Sequence, residues 1–242
     1  MSKYVLITGA SRGIGRATAL KFASLGYGII ATCQNSKDKL MELKDEITSL
    51  NVPCITFVND ISDYADVLNM FDNLKVSNCM PEILINNAAI SYVGLLQDMT
   101  IEEWKRLIDI NLTGAFNLCK NCIPYFVNQK SGRIINISSM WGNIGASCEV
   151  AYSASKGGIN TFTKALAKEL APSGIPVNAI AFGMVDTEMN SFLSSEDKAA
   201  FIEEVPAGRM LTAKEAADII YNVSCLNSYV TGQIITADGG YT

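Results

Sequence analysis

"YVLITGASRGIG", residues 4–15, decides the fold. An apolar run without strict alternation, Tyr4 to Thr8, meets glycines at 9, 13 and 15, and an amphipathic helix-length stretch follows. Apolar residues on both sides of a strand indicate burial on both faces, as in a parallel sheet covered by helices. Glycines at the turn let the chain reverse tightly and let backbone N–H groups approach a pyrophosphate at the helix N-terminus. The spacing is G-x-x-x-G-x-G, and its context, strand before and helix after, supports a dinucleotide site over a plain strand–helix turn.

The same grammar repeats outward. Strands are predicted at 4–8, 28–33, 54–59, 82–87, 133–138, 176–181 and 232–237, rich in Ile and Val. Helices are predicted at 14–25, 36–50, 62–76, 101–128, 152–171 and 212–225. Strand–helix alternation predicts an α/β protein with a doubly wound sheet. With no repeat or composition break, residues 1–242 read as one nucleotide-binding domain. Residues 184–211 break the alternation after a strand's C-terminal end, where ligands bind in such sheets, and read as a lid of short helices.

Composition narrows the function classes. Half-apolar composition (49%) with 18% charged residues describes a globular chain. The net charge is −5 without a basic run, which argues against nucleic acid as partner. No stretch approaches the roughly 18 apolar residues of a membrane span. Seven cysteines, an odd number, with no signal-like start read as reduced thiols in a cytoplasmic protein. Cys119 and Cys122 form a C-x-x-C with no second pair to complete a zinc site, and they read as core thiols.

There is no histidine. Acid–base chemistry near neutral pH therefore needs a residue whose pKa the fold has moved. Tyr152 and Lys156, in "AYSASKGG" (151–158), stand four apart and share one helical face. At the end of the second strand stand Cys33, Gln34, Asn35 and Ser36, with no carboxylate to hold a ribose diol. Arg12 of the glycine loop would meet a 2′-phosphate instead, with Lys37 either beside it or solvated at a helix start. NADP(H) is thus favoured, with NAD(H) the alternative.

Taken together, "TGASRGIG", "NDISD" (59–63), "NNAAI" (86–90), "DINLTGAF" around Asn111, "NISS" (136–139), "YSASK" (152–156), "VNAIAFG" (177–183) and "VTGQIITADGGY" near the end resemble the short-chain dehydrogenase/reductase family from end to end. The resemblance implies a Rossmann-type parallel sheet of seven strands with helices on both faces and a nicotinamide cofactor. It implies a catalytic group of Asn111, Ser139, Tyr152 and Lys156, with Ser139 preferred to Ser138 because it stands thirteen residues before the tyrosine. Tyr152 would donate the proton to a carbonyl oxygen, Lys156 would lower the phenol's pKa and hold the nicotinamide ribose, and Ser139 would bond the developing oxyanion. Asn111 would anchor a water in a proton relay. The implied cofactor contacts are Gly9, Ser11, Arg12, Gly13, Ile14, Gly15, Asp60, Ile61, Asn87, Ala88, Tyr152, Lys156, Gly183, Val185 and Thr187. Asp60 reads alternatively as an N-cap of the following helix.

Two positions depart from the family pattern: Ala89 where glycine is common, and Phe182 where proline is usual. Within the family the chain is closest to the 3-oxoacyl-[acyl-carrier-protein] reductases, which implies an NADPH-dependent ketoreductase of 3-oxoacyl thioesters. The alternative is an NAD(P)-dependent alcohol or sugar dehydrogenase. An acyl carrier protein would dock on basic residues near the active-site mouth; Lys130 and Arg133 are present, and Ser173 stands where a third would be expected. Met140, Trp141, Ile144, Met184 and Phe192 are expected to line the substrate pocket. The resemblance also implies a homotetramer formed through the long helices and the last strand.

Overall fold

The computed structural model describes residues 3–191 and 193–242. Seven parallel strands form one sheet: β1 (Tyr4–Thr8), β2 (Gly28–Cys33), β3 (Cys54–Val58), β4 (Ile83–Asn86), β5 (Arg133–Ser139), β6 (Val177–Phe182) and, last in the chain, β9 (Ile234–Ala237). Their order is β3-β2-β1-β4-β5-β6-β9. The winding direction therefore reverses between β1 and β4, and the crevice beyond the strands' C-terminal ends at that point is where doubly wound sheets bind ligands. Each predicted strand is present: β1 and β2 have the predicted bounds, β3, β4 and β9 are shorter by one or two residues, β5 runs one residue further and β6 is shifted by one.

Helices cover both faces: α1 (Gly13–Ser24), α2 (Lys37–Ser49), α3 (Tyr64–Val76), α4 (Ile101–Ile108), α5 (Gly114–Gln129), α6 (Trp141–Ile144), α7 (Val150–Leu170), α8 (Ser195–Glu204) and α9 (Ala213–Ser224). Side chains alternate across the sheet. Val5 and Ile7 of β1 enter a core with Phe22 of α1, Leu40 of α2 and Ile220 of α9. Leu6, between them, enters the opposite core with Phe71 of α3, Phe126 of α5 and Leu166 of α7. Cys119 and Cys122 of α5 are buried in this second core as apolar thiols. A polar chain crosses the interior: Asn86 donates to Asn136 and Asn136 to Thr163, each at 2.8 Å.

The helix expected over 101–128 is interrupted. Residues Asp109–Thr113 form a π-helical turn between α4 and α5, and an apolar periodicity does not register one extra residue in a turn. The expected helix at 152–171 starts two residues earlier, at Val150, so Tyr152 lies in its first turn. The segment 184–211 is built from β7 (Val185–Asp186), a 3₁₀ turn at Glu188–Asn190, α8, and β8 (Leu211–Thr212), which pairs in parallel with β7. Ser194 and Asp197 form a capping box at the start of α8. Among the described residues, no helix is long and apolar enough to cross a membrane.

Candidate active site

A cavity of about 630 Å³ opens at the C-terminal ends of β1, β2, β4, β5 and β6. Its floor depends on missing side chains. A Cβ on Gly15 would stand 2.3 Å from the Gly9 carbonyl oxygen and 2.6 Å from Asn87 Nδ2, and Gly9 itself has φ +64°. Asn87 locks this turn to β4: its Nδ2 donates to the Thr8 carbonyl at 2.8 Å, and its N–H and that of Ala88 each donate to Thr8 Oγ1 at 3.0 Å. The loop thus meets the next strand with no room for a methyl group, which leaves backbone groups facing the cavity.

At the β2 end the wall is Thr32, Cys33, Gln34, Asn35 and Ser36, with Asn59, Asp60 and Ile61 beside them. Thr32 Oγ1 and Asn59 Oδ1 are buried here without a hydrogen-bond partner. Asp60 does not cap α3; Asp63 does, accepting from Ala65 N–H and Asp66 N–H. Asp60 instead accepts from Ser62 and Gln34 and pairs with Arg106 of α4 at 2.9 Å. Its carboxyl is held below the usual range: Ser62 and Arg106 outweigh the opposing effect of burial. Arg12 lies on the wall, bonded to Glu188 at 3.3 Å. The exposed Lys37 is not part of this wall; Lys39, two residues on, reaches Glu188 at 2.7 Å.

At the other end, Ser138 and Ser139 finish β5 and Tyr152 and Lys156 project from α7. Ser138 Oγ is spent on Asn160 Oδ1 at 2.7 Å. Ser139 Oγ accepts from Trp141 N–H at 3.2 Å and acts on the Tyr152 phenol. Lys156 is buried, donates from Nζ to the Ile137 carbonyl at 2.7 Å, and sits 5.6 Å from the centre of the Tyr152 ring. Burial lowers its pKa to about 8.

Among the chain's own groups, the net push on the Tyr152 phenol is upward. The phenol is pushed up, first by burial and then by the Glu149 carboxylate, against a smaller downward pull from Ser139. The ammonium faces the ring and a carbonyl, and Glu149, three residues before Tyr152, supplies the nearby charge. Glu149 lines the cavity, and its own carboxyl is raised by burial despite a hydrogen bond from Trp141.

Asn111 and Gly15 are not on the cavity wall. Asn111, in the π turn, clamps Ile90: Nδ2 donates to the Ile90 carbonyl at 2.9 Å and Oδ1 accepts its N–H at 2.8 Å. Nδ2 also donates to Ser155 Oγ at 3.0 Å, and Ser155 in turn donates to the Tyr152 carbonyl at 2.8 Å. This side chain therefore ties the loop after β4 to the helix that carries Tyr152. The remaining expected cofactor residues, from Gly9, Ser11, Gly13 and Ile14 to Gly183, Val185 and Thr187, all line the cavity.

For the substrate side, Met140, Trp141 and Met184 line the wall, whereas Ile144 is 56% exposed and is not part of it. Phe192 lies outside the described residues. Phe182 both lines the cavity and packs into the core with Val185 and Ile180. Lys130 and Arg133 are not at the cavity mouth. They precede and begin β5, whose far end carries Ser139, roughly 20 Å away at ~3.3 Å per residue. Arg133 is occupied there, donating to the Leu226 carbonyl at 2.7 Å.

The short chain dehydrogenase model matches residues 3–198. The chain belongs to this family. As members of the short-chain dehydrogenases, its relatives include an uncharacterised oxidoreductase of Bacillus subtilis, 37% identical over 246 residues, covering all of this chain and 99% of that one. The 3-oxoacyl-[acyl-carrier-protein] reductase FabG of Staphylococcus aureus is 37% identical over 244 residues, 99% of this chain and 98% of the relative. The crystal structure of a 3-oxoacyl-[acyl-carrier protein] reductase from Brucella melitensis superposes with a TM-score of 0.92 at 32% identity, covering 99% of this chain and 91% of that one. The chain is accordingly an oxidoreductase of the short-chain dehydrogenase family, whose cofactors are nicotinamide dinucleotides. The residues present fit such a cofactor: a turn that a Cβ would fill, two unpartnered buried oxygens at the β2 end, and Lys156 at the opposite end.

Sequence reasoning passed over Glu149, Glu188, Lys39 and Arg106. For Glu149 a signal was available, a carboxylate one helical turn before the tyrosine. For Glu188, 176 residues from Arg12, there was none.

Proposed function

We propose that the chain is an NADP(H)-dependent ketoreductase acting on a 3-oxoacyl thioester, with Asn111, Ser139, Tyr152 and Lys156 as its working group. The observation that carries this reading is the shared wall on which the Ser139 hydroxyl and the Tyr152 phenol meet beside the buried Lys156. When bound, a reduced nicotinamide supplies the hydride. The chain's own residues handle the oxygen. Ser139 Oγ donates to the substrate oxygen as it gains charge, in a site where burial strengthens that bond. Tyr152 donates the proton, and burial together with Glu149 keeps it in the protonated form a donor needs. Lys156 supplies the local positive charge that stabilises the phenolate left behind. Asn111 is the positioning residue, fixing α7 against the loop that carries Ile90.

NADP(H) is favoured over NAD(H) by Arg12 and by the absence of a carboxylate at the end of β2. The thioester assignment follows the printed activity of the relatives, and Met140, Trp141 and Met184 provide an apolar wall for an acyl chain. Carriage by an acyl carrier protein remains part of the proposal, but Lys130 and Arg133 of the same chain are too far from the mouth to guide it. Residues 184–211 act as the lid. Exposed Phe116, Val127, Ile101 and Trp104 on α4 and α5 support assembly of four copies through the long helices.

The test is loss of NADPH absorbance with acetoacetyl thioesters, sugars and simple ketones in parallel. Turnover of the thioesters is expected; activity with sugars alone would transfer the assignment to a sugar dehydrogenase. Tyr152→Phe should bind NADPH as wild type does and lose about 10²- to 10⁴-fold in turnover. Retained turnover would remove Tyr152 as the donor.

A further inference from the structure

Glu188 belongs to the 3₁₀ turn that follows β7, yet it is held by two cations from distant parts of the chain. Arg12 Nη1, from the glycine loop, lies 3.3 Å from Oε2, and Lys39 Nζ, from α2, lies 2.7 Å from Oε1. Arg12 and Glu188 both line the β2 end of the cavity, beside Gln34, Asn35 and Ser36. No other carboxylate is bonded to either cation among the described residues.

We propose that Glu188 is a cofactor-selectivity residue, a built-in carboxylate that competes with a ribose 2′-phosphate for Arg12 and Lys39. The inference rests on the NADP(H) reading of the cavity. The two anions are matched in what they ask of the protein and unequal in strength. A carboxylate offers two oxygens and one charge. A phosphate monoester offers three oxygens and a charge of roughly −1.5 to −2 near neutral pH, and it can engage the guanidinium fork bidentately. The phosphate therefore displaces Glu188, while a dinucleotide without it leaves the carboxylate in place and bears no cost of displacement. Glu188 thus narrows the preference for NADP(H) that Arg12 and Lys39 create. The Glu188 carboxyl is held below its usual range, by the Lys39 hydrogen bond first, so it stays charged throughout the neutral range.

The test uses the whole chain and two small probes, 2′,5′-ADP and 5′-AMP, with dissociation constants from calorimetry. In Glu188→Gln, 2′,5′-ADP should bind about 3- to 10-fold more tightly and 5′-AMP within about twofold of wild type. Arg12→Gln and Lys39→Gln should each weaken 2′,5′-ADP alone. Arg12→Gln that weakens the probe, with Glu188→Gln that does not tighten it, would overturn the role of Glu188 and leave the NADP(H) reading standing. Wild type that binds the two probes equally, unaltered by Arg12→Gln, would overturn the NADP(H) reading itself and this inference with it.

Discussion

On the side of the cavity built by β1 and β4, the close contacts run between backbone groups and the half-buried Asn87 amide. Gly15 lies against the Gly9 carbonyl, and Asn87 and Thr8 bond each other's main chain. On the side that includes residues 184–191 and 193–211, the contacts run between exposed or half-buried side chains. Glu188 meets Arg12 and Lys39, Arg209 meets Glu215, and Phe201 stacks on Tyr241 at 5.2 Å while Tyr241 meets Trp141 edge-on at 5.6 Å. The first kind of contact tolerates no added atom. The ion pairs of the second kind are screened by solvent and worth little each. A close-packed backbone cradle faces a wall of side chains that can be retuned one at a time.

That contrast can be broken most easily at Gly15. Gly15→Ala forces the glycine loop away from Asn87 and is expected to weaken dinucleotide binding by about 100-fold or more, with a stability loss of about 1–3 kcal/mol. Fluorescence titration with NADPH and urea unfolding measure the two. Near-normal binding would mean that the loop yields and the cradle is not rigid.

Asn111→Ala is the next step down. It strands the Ile90 N–H and carbonyl and frees Ser155, with an expected cost of about 1–3 kcal/mol in urea unfolding and a fall in kcat larger than any rise in KM. An equal change in stability with unaltered kcat would make the clamp purely structural.

Glu149→Gln sharpens the comparison from within the cavity. Alcohol oxidation requires the phenolate, so its rate rises with pH through the Tyr152 pKa. Glu149 is the second cause, after burial, that raises this pKa, and neutralising it lowers the pKa. The alkaline rise of the oxidation rate should therefore move to lower pH in the variant. A profile that stays in place, or moves to higher pH, would exclude Glu149 from the electrostatics of the phenol.

The smallest effect belongs to the side-chain contacts. Tyr241→Phe deletes a 3.0 Å bond to the exposed Glu204 and keeps the ring stack, so the melting curve should show less than about 0.5 kcal/mol of change. A larger loss would place this side under the same constraints as the glycine loop.

The same division explains what could be read from the sequence. β1, β2, β4 and β6 declare themselves because strands buried on both faces are largely apolar, and the glycine loop declares itself because only glycine fits. Ser139, Tyr152 and Lys156 are legible through spacing along one strand end and one helix face. The π turn around Asn111 was not legible, since its extra residue leaves the apolar pattern intact. Nor was the partner of Arg12, because a charge pair spanning 176 residues leaves no local trace. The upward push of burial and Glu149 on the Tyr152 phenol was not legible either. Helical spacing brings Lys156 near the ring, but only the fold reveals that its ammonium is bound to the Ile137 carbonyl.

The alternation of β1 carries a consequence for how the protein opens. Val5 and Ile7 serve one core and Leu6 the other, with all three fully buried. Neither helical layer can detach without uncovering this central strand, so the two layers are one cooperative unit. The amide protons of Val5, Leu6 and Ile7 should exchange with solvent deuterium only through global unfolding, at one common free energy, while the exposed end of α8 exchanges long before them.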